Sequence, residues 1–83
     1  MPQNRRLTLV QMEVGQTGTV VQILGGLGLT RRLEALGIRP GMRVTKISSM
    51  LLRGPVTLRV GSAQVAIGFG MASRALVQVD IST

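Results

Sequence analysis

The chain is 83 residues long and 45% apolar but only 1% aromatic, from Phe69 alone, so one small core must be built from Val, Leu, Ile and Met. It has neither Cys nor His, which excludes disulfides, thiolate chemistry, imidazole metal ligands and the commonest general base. Ten Lys and Arg against Glu13, Glu34 and Asp80 leave a net charge of +7, a balance that favours nucleic acid, an anionic membrane face or an acidic protein surface as partner.

Residues 1–6 read as a flexible basic tail ahead of a single domain spanning 7–83. No signal peptide is legible, because Leu7 to Gln11 is too short for an h-region, and the apolar stretch Val20 to Leu29 is broken by Gln22 and glycines. The chain is therefore expected to be soluble. Gly15-Gln16-Thr17-Gly18 predicts a turn, and the β-branched run Thr19 to Leu24 predicts a strand. Gly25-Gly26-Leu27-Gly28 interrupts it, and a short helix is expected from about Leu29 or Thr30 to Leu36.

The end of that helix is the best-marked feature of the chain. Leu29, Leu33 and Leu36 share a helical face. Gly37 stands where a left-handed residue closes a helix, with Ile38 placed to fold back onto Leu33, as in a Schellman ending. Pro40-Gly41 then supplies the two central residues of a type II turn. A strand follows over Met42 to Ile47, with alternation slipping at Lys46-Ile47 and predicting a bulge. Gly61-Ser62 fits a type II′ turn that pairs Val60 with Ala63, Leu58 with Val65 and Val56 with Ile67. All six then lie on one face, with Thr57, Arg59, Gln64 and Ala66 on the other. Gly68 to Ser73 reads as a helical corner and Leu76 to Ile81 as the closing strand.

The sum is a mainly β fold: a small SH3-like barrel of about five strands, with one helix between the first two and a helical turn before the last. Closing the sheet is expected to remove exposed strand edges.

Chemistry is sparse. Lys46, Ser and Thr are the remaining conceivable actors, and no nucleophile–base pair stands out, so the chain does not read as an enzyme. Glu13, Glu34 and Asp80 come from distant segments and read as solvated surface charges rather than a metal site. Gly25-Gly26-Leu27-Gly28 lacks the Gly-Lys-Ser/Thr ending of a phosphate loop. Arg31 and Arg32, placed in the first turn of the expected helix, oppose its dipole and mark a positive edge for an acidic partner or anion. Met50-Leu51-Leu52 falls in a loop, where it caps the barrel or forms a docking patch with Arg53 on its rim. With no Tyr or Trp, nucleic acid is not expected, because small barrels that hold single strands rely on aromatic stacking.

From Leu7 to Val79 the sequence resembles the ferrous iron transport protein A family, FeoA. The likeness is carried by Gly15 and Gly18, Val20, Ile23, Gly25-Gly26, Leu33, Leu36-Gly37-Ile38, Pro40-Gly41, Gly54-Pro55-Val56, Val65-Ala66-Ile67, Met71-Ala72 and Val77-Gln78-Val79. In that pattern Leu33, Leu36, Gly37, Pro40, Gly41, Gly54 and Pro55 are structural. Ser48 to Arg53 and Gly68-Phe69-Gly70 depart from it. The resemblance implies a cytoplasmic, non-enzymatic accessory of ferrous iron uptake. Its implied partner is the cytosolic GTP-binding part of a FeoB-like transporter, which would bring it to the membrane only indirectly. Arg31, Arg32, Arg39, Met50, Leu51, Leu52 and Arg53 are the expected contact residues. No cofactor is required; weak divalent metal binding and homo-oligomers stay open. The alternatives are a regulatory module similar to the C-terminal domain of iron-dependent repressors, and a charge-driven nucleic-acid-binding barrel.

Overall fold

The computed structural model describes residues 5–49 and 53–80. Among them are six strands: β1 Arg5–Thr8, β2 Thr17–Ile23, β3 Arg43–Ser49, β4 Val56–Val60, β5 Ala63–Ile67 and β6 Ala75–Val79. Two helices join them, α1 Leu27–Ala35 between β2 and β3 and α2 Phe69–Ala72 between β5 and β6. All ladders are antiparallel, in the order β1-β6-β2-β3-β4-β5. The last strand thus lies between the first two, and the sheet bends over a core of Val, Leu, Ile, Ala and Met side chains.

Local chemistry explains several elements directly. The β4–β5 hairpin has the predicted register, Val60 to Ala63, Leu58 to Val65 and Val56 to Ile67, around Gly61 at φ +61°. Its inward set is buried at Val56, Leu58, Val60 and Ile67 and half-buried at Val65, while Ala63 is exposed beside the turn. A slip of one residue would drive these apolar side chains into water, so the pairing is specified. Helix α1 closes as predicted. The Ile38 amide donates to the Leu33 carbonyl at 2.9 Å and the Gly37 amide to the Glu34 carbonyl at 2.9 Å, with Gly37 at φ +87°. These are the two bonds of a Schellman ending. It seats Leu33 and Ile38 together in the core, where each fully buried side chain contributes about 1.5–3 kcal/mol. At the next corner the Met42 amide donates to the Arg39 carbonyl at 3.0 Å across Pro40-Gly41.

Four expectations need correction. Arg5 and Arg6 belong to β1, paired with Val79 and Gln78, rather than to a tail; a free strand edge on β6 recruits residues whose own sequence carries no strand signal. Among the described residues there are six strands rather than about five, for the same reason. The turn before β2 comes earlier, at residues 13–16, because Thr17 and Gly18 already pair with Thr45 and Val44. And the sheet keeps two edges: no ladder joins β5 to β1 among the described residues. The predicted bulge in β3 is present, as a register shift between Lys46 and Ser48. The closing strand begins one residue early, at Ala75, and Ile81 lies outside the described residues.

Gly18 is buried where β2 meets β6, and its lack of a side chain lets the strands approach. A Cβ there would stand 2.5 Å from the Gln78 carbonyl oxygen and 2.6 Å from Val77 Cγ1. Because the first obstacle is backbone, the ladder itself must move. Gly18→Ala is expected to cost about 1–3 kcal/mol by overpacking. Gly37→Ala is expected to cost about 1–2 kcal/mol through its left-handed backbone. Urea unfolding of the two variants checks both, and Gly18→Ala with parental stability would show that β2 and β6 have slack.

Candidate functional site

The β2-to-β3 crossover carries the densest group of exposed cations, and its backbone is held at both ends. The Leu24 amide donates to the Arg74 carbonyl at 2.7 Å, tying the exit of β2 to the entry of β6. Gly26 is the extended N-cap, and its carbonyl accepts from the Thr30 amide at 3.0 Å and the Thr30 hydroxyl at 3.1 Å. Helix α1 therefore starts at Leu27, two or three residues before the expected point, with Gly28 inside it. That moves Arg31 to the fifth helical residue and Arg32 into the last turn. The expected opposition to the helix dipole is thereby overturned, since a cation near the C-terminus is favoured.

Leu33 is the buried residue of α1, and Leu29 packs partly against the core. Leu27, Gly28, Arg31, Arg32, Glu34 and Ala35 are all exposed. Past the Schellman ending, Arg39 opens the Pro40-Gly41 turn and is exposed as well. That turn is locked to β2 by Gly41 amide to Val20 carbonyl and Val20 amide to Met42 carbonyl, both 2.8 Å. Arg31, Arg32 and Arg39 are thus mounted on fixed backbone. None has a carboxylate within ion-pair distance among the described residues, where the one ion pair is Arg43–Asp80. Asp80 holds the Arg43 guanidinium above its ordinary range by hydrogen bond and charge. Both partners of that pair are solvent-exposed, so it stabilises little.

Three large apolar side chains of the same crossover are exposed, and Leu27, four residues before Arg31, shares its helical face. Leu27 is 64% exposed and Leu24 40%, and Leu36, at the C-cap of α1, is 38% exposed. The sequence reading passed over Leu24 and Leu27. Their signal was the glycine run around them, which leaves no partner surface to cover a leucine.

The other expected contact residues are not gathered here. Met50, Leu51 and Leu52 lie outside the described residues. Arg53 follows them with φ +63°, and its guanidinium carbon sits 5.7 Å from the Phe69 ring centroid, so its near neighbour is α2. A cation over an aromatic face at this range is attracted to it by about 0.5–1 kcal/mol. Of the structural set, Leu33 is buried, Gly37 and Gly41 have φ +87° and +95°, and Leu36 is the C-cap. Gly54 and Pro55 lead into β4.

Lys46 departs most from expectation. It keeps the inward phase of Val44 in spite of the bulge, and only 3% of it is exposed. Its ammonium donates to the Val10 carbonyl at 2.9 Å and to the Met12 carbonyl at 2.6 Å. Its backbone holds the same loop, by Gly15 amide to Lys46 carbonyl at 2.8 Å and Lys46 amide to Gln16 carbonyl at 2.9 Å. Burial pushes the ammonium below its ordinary value of 10.5, while the two carbonyl acceptors favour the charged form. The one lysine of the chain is therefore a clamp on residues 10–16, with no acid or base beside it among the described residues. No three of Asp, Glu, His or Cys come together there either. No described helix is long and apolar enough to cross a membrane.

Comparison with known proteins assigns the scaffold. The family model described as the FeoA domain matches residues 7–79. The chain belongs to the FeoA family. A crystal structure of an iron uptake regulatory protein (FeoA) superposes with a TM-score of 0.83 at 36% identity, over 90% of this chain and 97% of that one. The FeoA of Stenotrophomonas maltophilia complexed with zinc, described as a procaryotic SH3 domain protein, superposes at 0.74 with 22% identity, over 87% and 89% of the chains. A manganese-dependent transcriptional repressor gives 0.82 at 24% identity, over 94% of this chain but 44% of its own length, a likeness of fold alone. A search of curated proteins returned no match. The fold is SH3-like, as its bent antiparallel sheet indicates.

The FeoA barrel gives the Lys46 clamp a definite test. Lys46→Met keeps an apolar stem but leaves the Val10 and Met12 carbonyls without their donor. The expected loss is about 2 kcal/mol, or roughly 10 °C in Tm for a domain of this size. Thermal unfolding followed by circular dichroism measures it, and amide exchange should accelerate over residues 10–16 before the rest of the barrel. Parental stability would show that the loop stands without the ammonium.

Proposed function

We propose that this FeoA-family protein is a non-enzymatic, cytoplasmic accessory of ferrous iron uptake that binds the cytosolic GTP-binding part of a FeoB-like transporter. The observation that carries the reading is the β2-to-β3 crossover, where Arg31, Arg32 and Arg39 project from fixed backbone without carboxylate partners among the described residues, and where Leu24 and Leu27 are exposed. Exposed leucines on the same crossover as unpaired cations suit an acidic protein surface: the leucines give area to bury and the arginines give steering and charge-assisted bonds. Family membership supplies the setting, since the Stenotrophomonas maltophilia FeoA is described as a candidate ferrous iron transport activating factor.

In this reading the protein acts by contact alone. Arg31, Arg32 and Arg39 orient the encounter, and Leu27 anchors it. Iron is the transporter's cargo, and contact of this kind requires no cofactor of the barrel's own. Met50, Leu51, Leu52 and Arg53 are a second candidate contact set; of these, Arg53 is drawn toward Phe69.

The test is a calorimetric titration of the transporter's cytosolic domain with the parent and with Arg31→Glu/Arg32→Glu. The parent should bind more weakly as salt rises, by the screening of exposed charges. The double reversal should weaken binding at least tenfold, about 1.4 kcal/mol, chiefly through slower association. Leu27→Ser should weaken it while leaving the salt dependence in place. Binding that ignores both changes would move the contact elsewhere, and no binding at low salt would end the proposal.

A further inference from the structure

Among the described residues, β5 has β4 on one side and no strand on the other. In a hairpin with a two-residue turn, the residues flanking the turn form a hydrogen-bonded pair, and pair types alternate from there. Val60–Ala63, Leu58–Val65 and Val56–Ile67 are therefore the bonded pairs of β4 and β5. Gln64 and Ala66 must then turn their amides and carbonyls away from β4, toward the edge. Both residues are exposed, and neither backbone has a hydrogen-bond partner beyond β4 among the described residues.

Proteins ordinarily guard such an edge with charge, proline or a bulge. The opposite edge, β1, is guarded: it is four residues long and carries Arg5 and Arg6. Strand β5 reads Ala-Gln-Val-Ala-Ile, with no charge, no proline and no register shift against β4.

We propose that β5 pairs with β5 of a second copy of this chain, antiparallel about a twofold axis at Val65. In that register Gln64 faces Ala66 of the second copy and Ala66 faces its Gln64, so the four outward groups of each strand are satisfied. Val65 meets its own copy in the close, non-bonded position, adding apolar contact beside the core. Charge permits this occupant despite +7 on each chain. The nearest cation on the hairpin is Arg59 on β4, opposite Gln64. Three strand spacings, about 14 Å, separate the two copies of Arg59 across the sheet, beyond a screening length of about 8 Å at physiological salt. The short seam makes the dimer weak and concentration-dependent. It uses none of Arg31, Arg32 and Arg39, so it stands or falls separately from the transporter contact.

Sedimentation equilibrium over a concentration series, with amide chemical shifts recorded on dilution, tests the pairing. The expected result is a monomer–dimer equilibrium in which the Gln64 and Ala66 amides shift most. Gln64→Lys/Ala66→Lys places like charges opposite one another twice in the seam and should weaken the dimer about tenfold. Its circular dichroism should match the parent, since both positions are exposed. Mixing it with Gln64→Glu/Ala66→Glu should restore association as a mixed dimer. A monomer at every concentration overturns the proposal. So does a dimer indifferent to both double variants, or one whose shifting amides lie outside β5.

Discussion

A charge enclosed in a small apolar barrel must be met by dipoles, and that requirement at Lys46 organises one end of this molecule. Its ammonium takes the Val10 and Met12 carbonyls, while its own amide and carbonyl take Gln16 and Gly15. Residues 10–16 are consequently laid across the sheet. Two core residues, Leu9 and Met12, come with them, and the Leu9 amide reaches the carbonyls of Ala72 and Ala75 at 3.2 Å. One side chain on β3 thereby couples the first loop to the sheet and, through Leu9, to the helical corner before β6. Desolvation of the ammonium offsets much of what its bonds contribute, so the cost of removing it lies chiefly in the two carbonyls left without a donor. What it adds is a single place for the loop to go.

The other cations do the reverse. All nine arginines are exposed, and Arg43 alone has a carboxylate partner among the described residues. A chain with three acids cannot neutralise itself, so its field is left for other molecules to answer. The fold decides where that field is rigid. On the β2-to-β3 crossover the Schellman ending and the Pro40-Gly41 turn fix the backbone beneath Arg31, Arg32 and Arg39. Arg53 instead sits over Phe69.

The proposed transporter contact on the β2-to-β3 crossover and the proposed β5 seam lie on different parts of the fold for a topological reason. Insertion of β6 between β1 and β2 gives the first strand a partner, and among the described residues β5 has one neighbour. The outward phase of Gln64 and Ala66 then follows from the two-residue turn at Gly61-Ser62 alone. A bulge or a longer turn would have changed which groups face the edge.

What was legible in the sequence is what short-range chemistry dictates. Gly37, Gly41 and Gly61 occupy positive-φ positions at a helix end and two turns, and alternation around Gly61-Ser62 sets the hairpin register. The family pattern from Leu7 to Val79 is built largely from these local signals. Tertiary structure decided the rest. Arg5 and Arg6 became a strand because β6 offered an edge. Helix α1 began at Leu27 because the Gly26 carbonyl found Thr30, against the weak helical preference of its glycines. Lys46 went inward because two carbonyls 34 and 36 residues earlier were waiting for it. Leu27 stayed outside because nothing among the described residues covers it. A turn or a cap is settled by neighbours a few bonds away, whereas the burial of a charge or the exposure of a leucine depends on residues brought together only when the sheet bends.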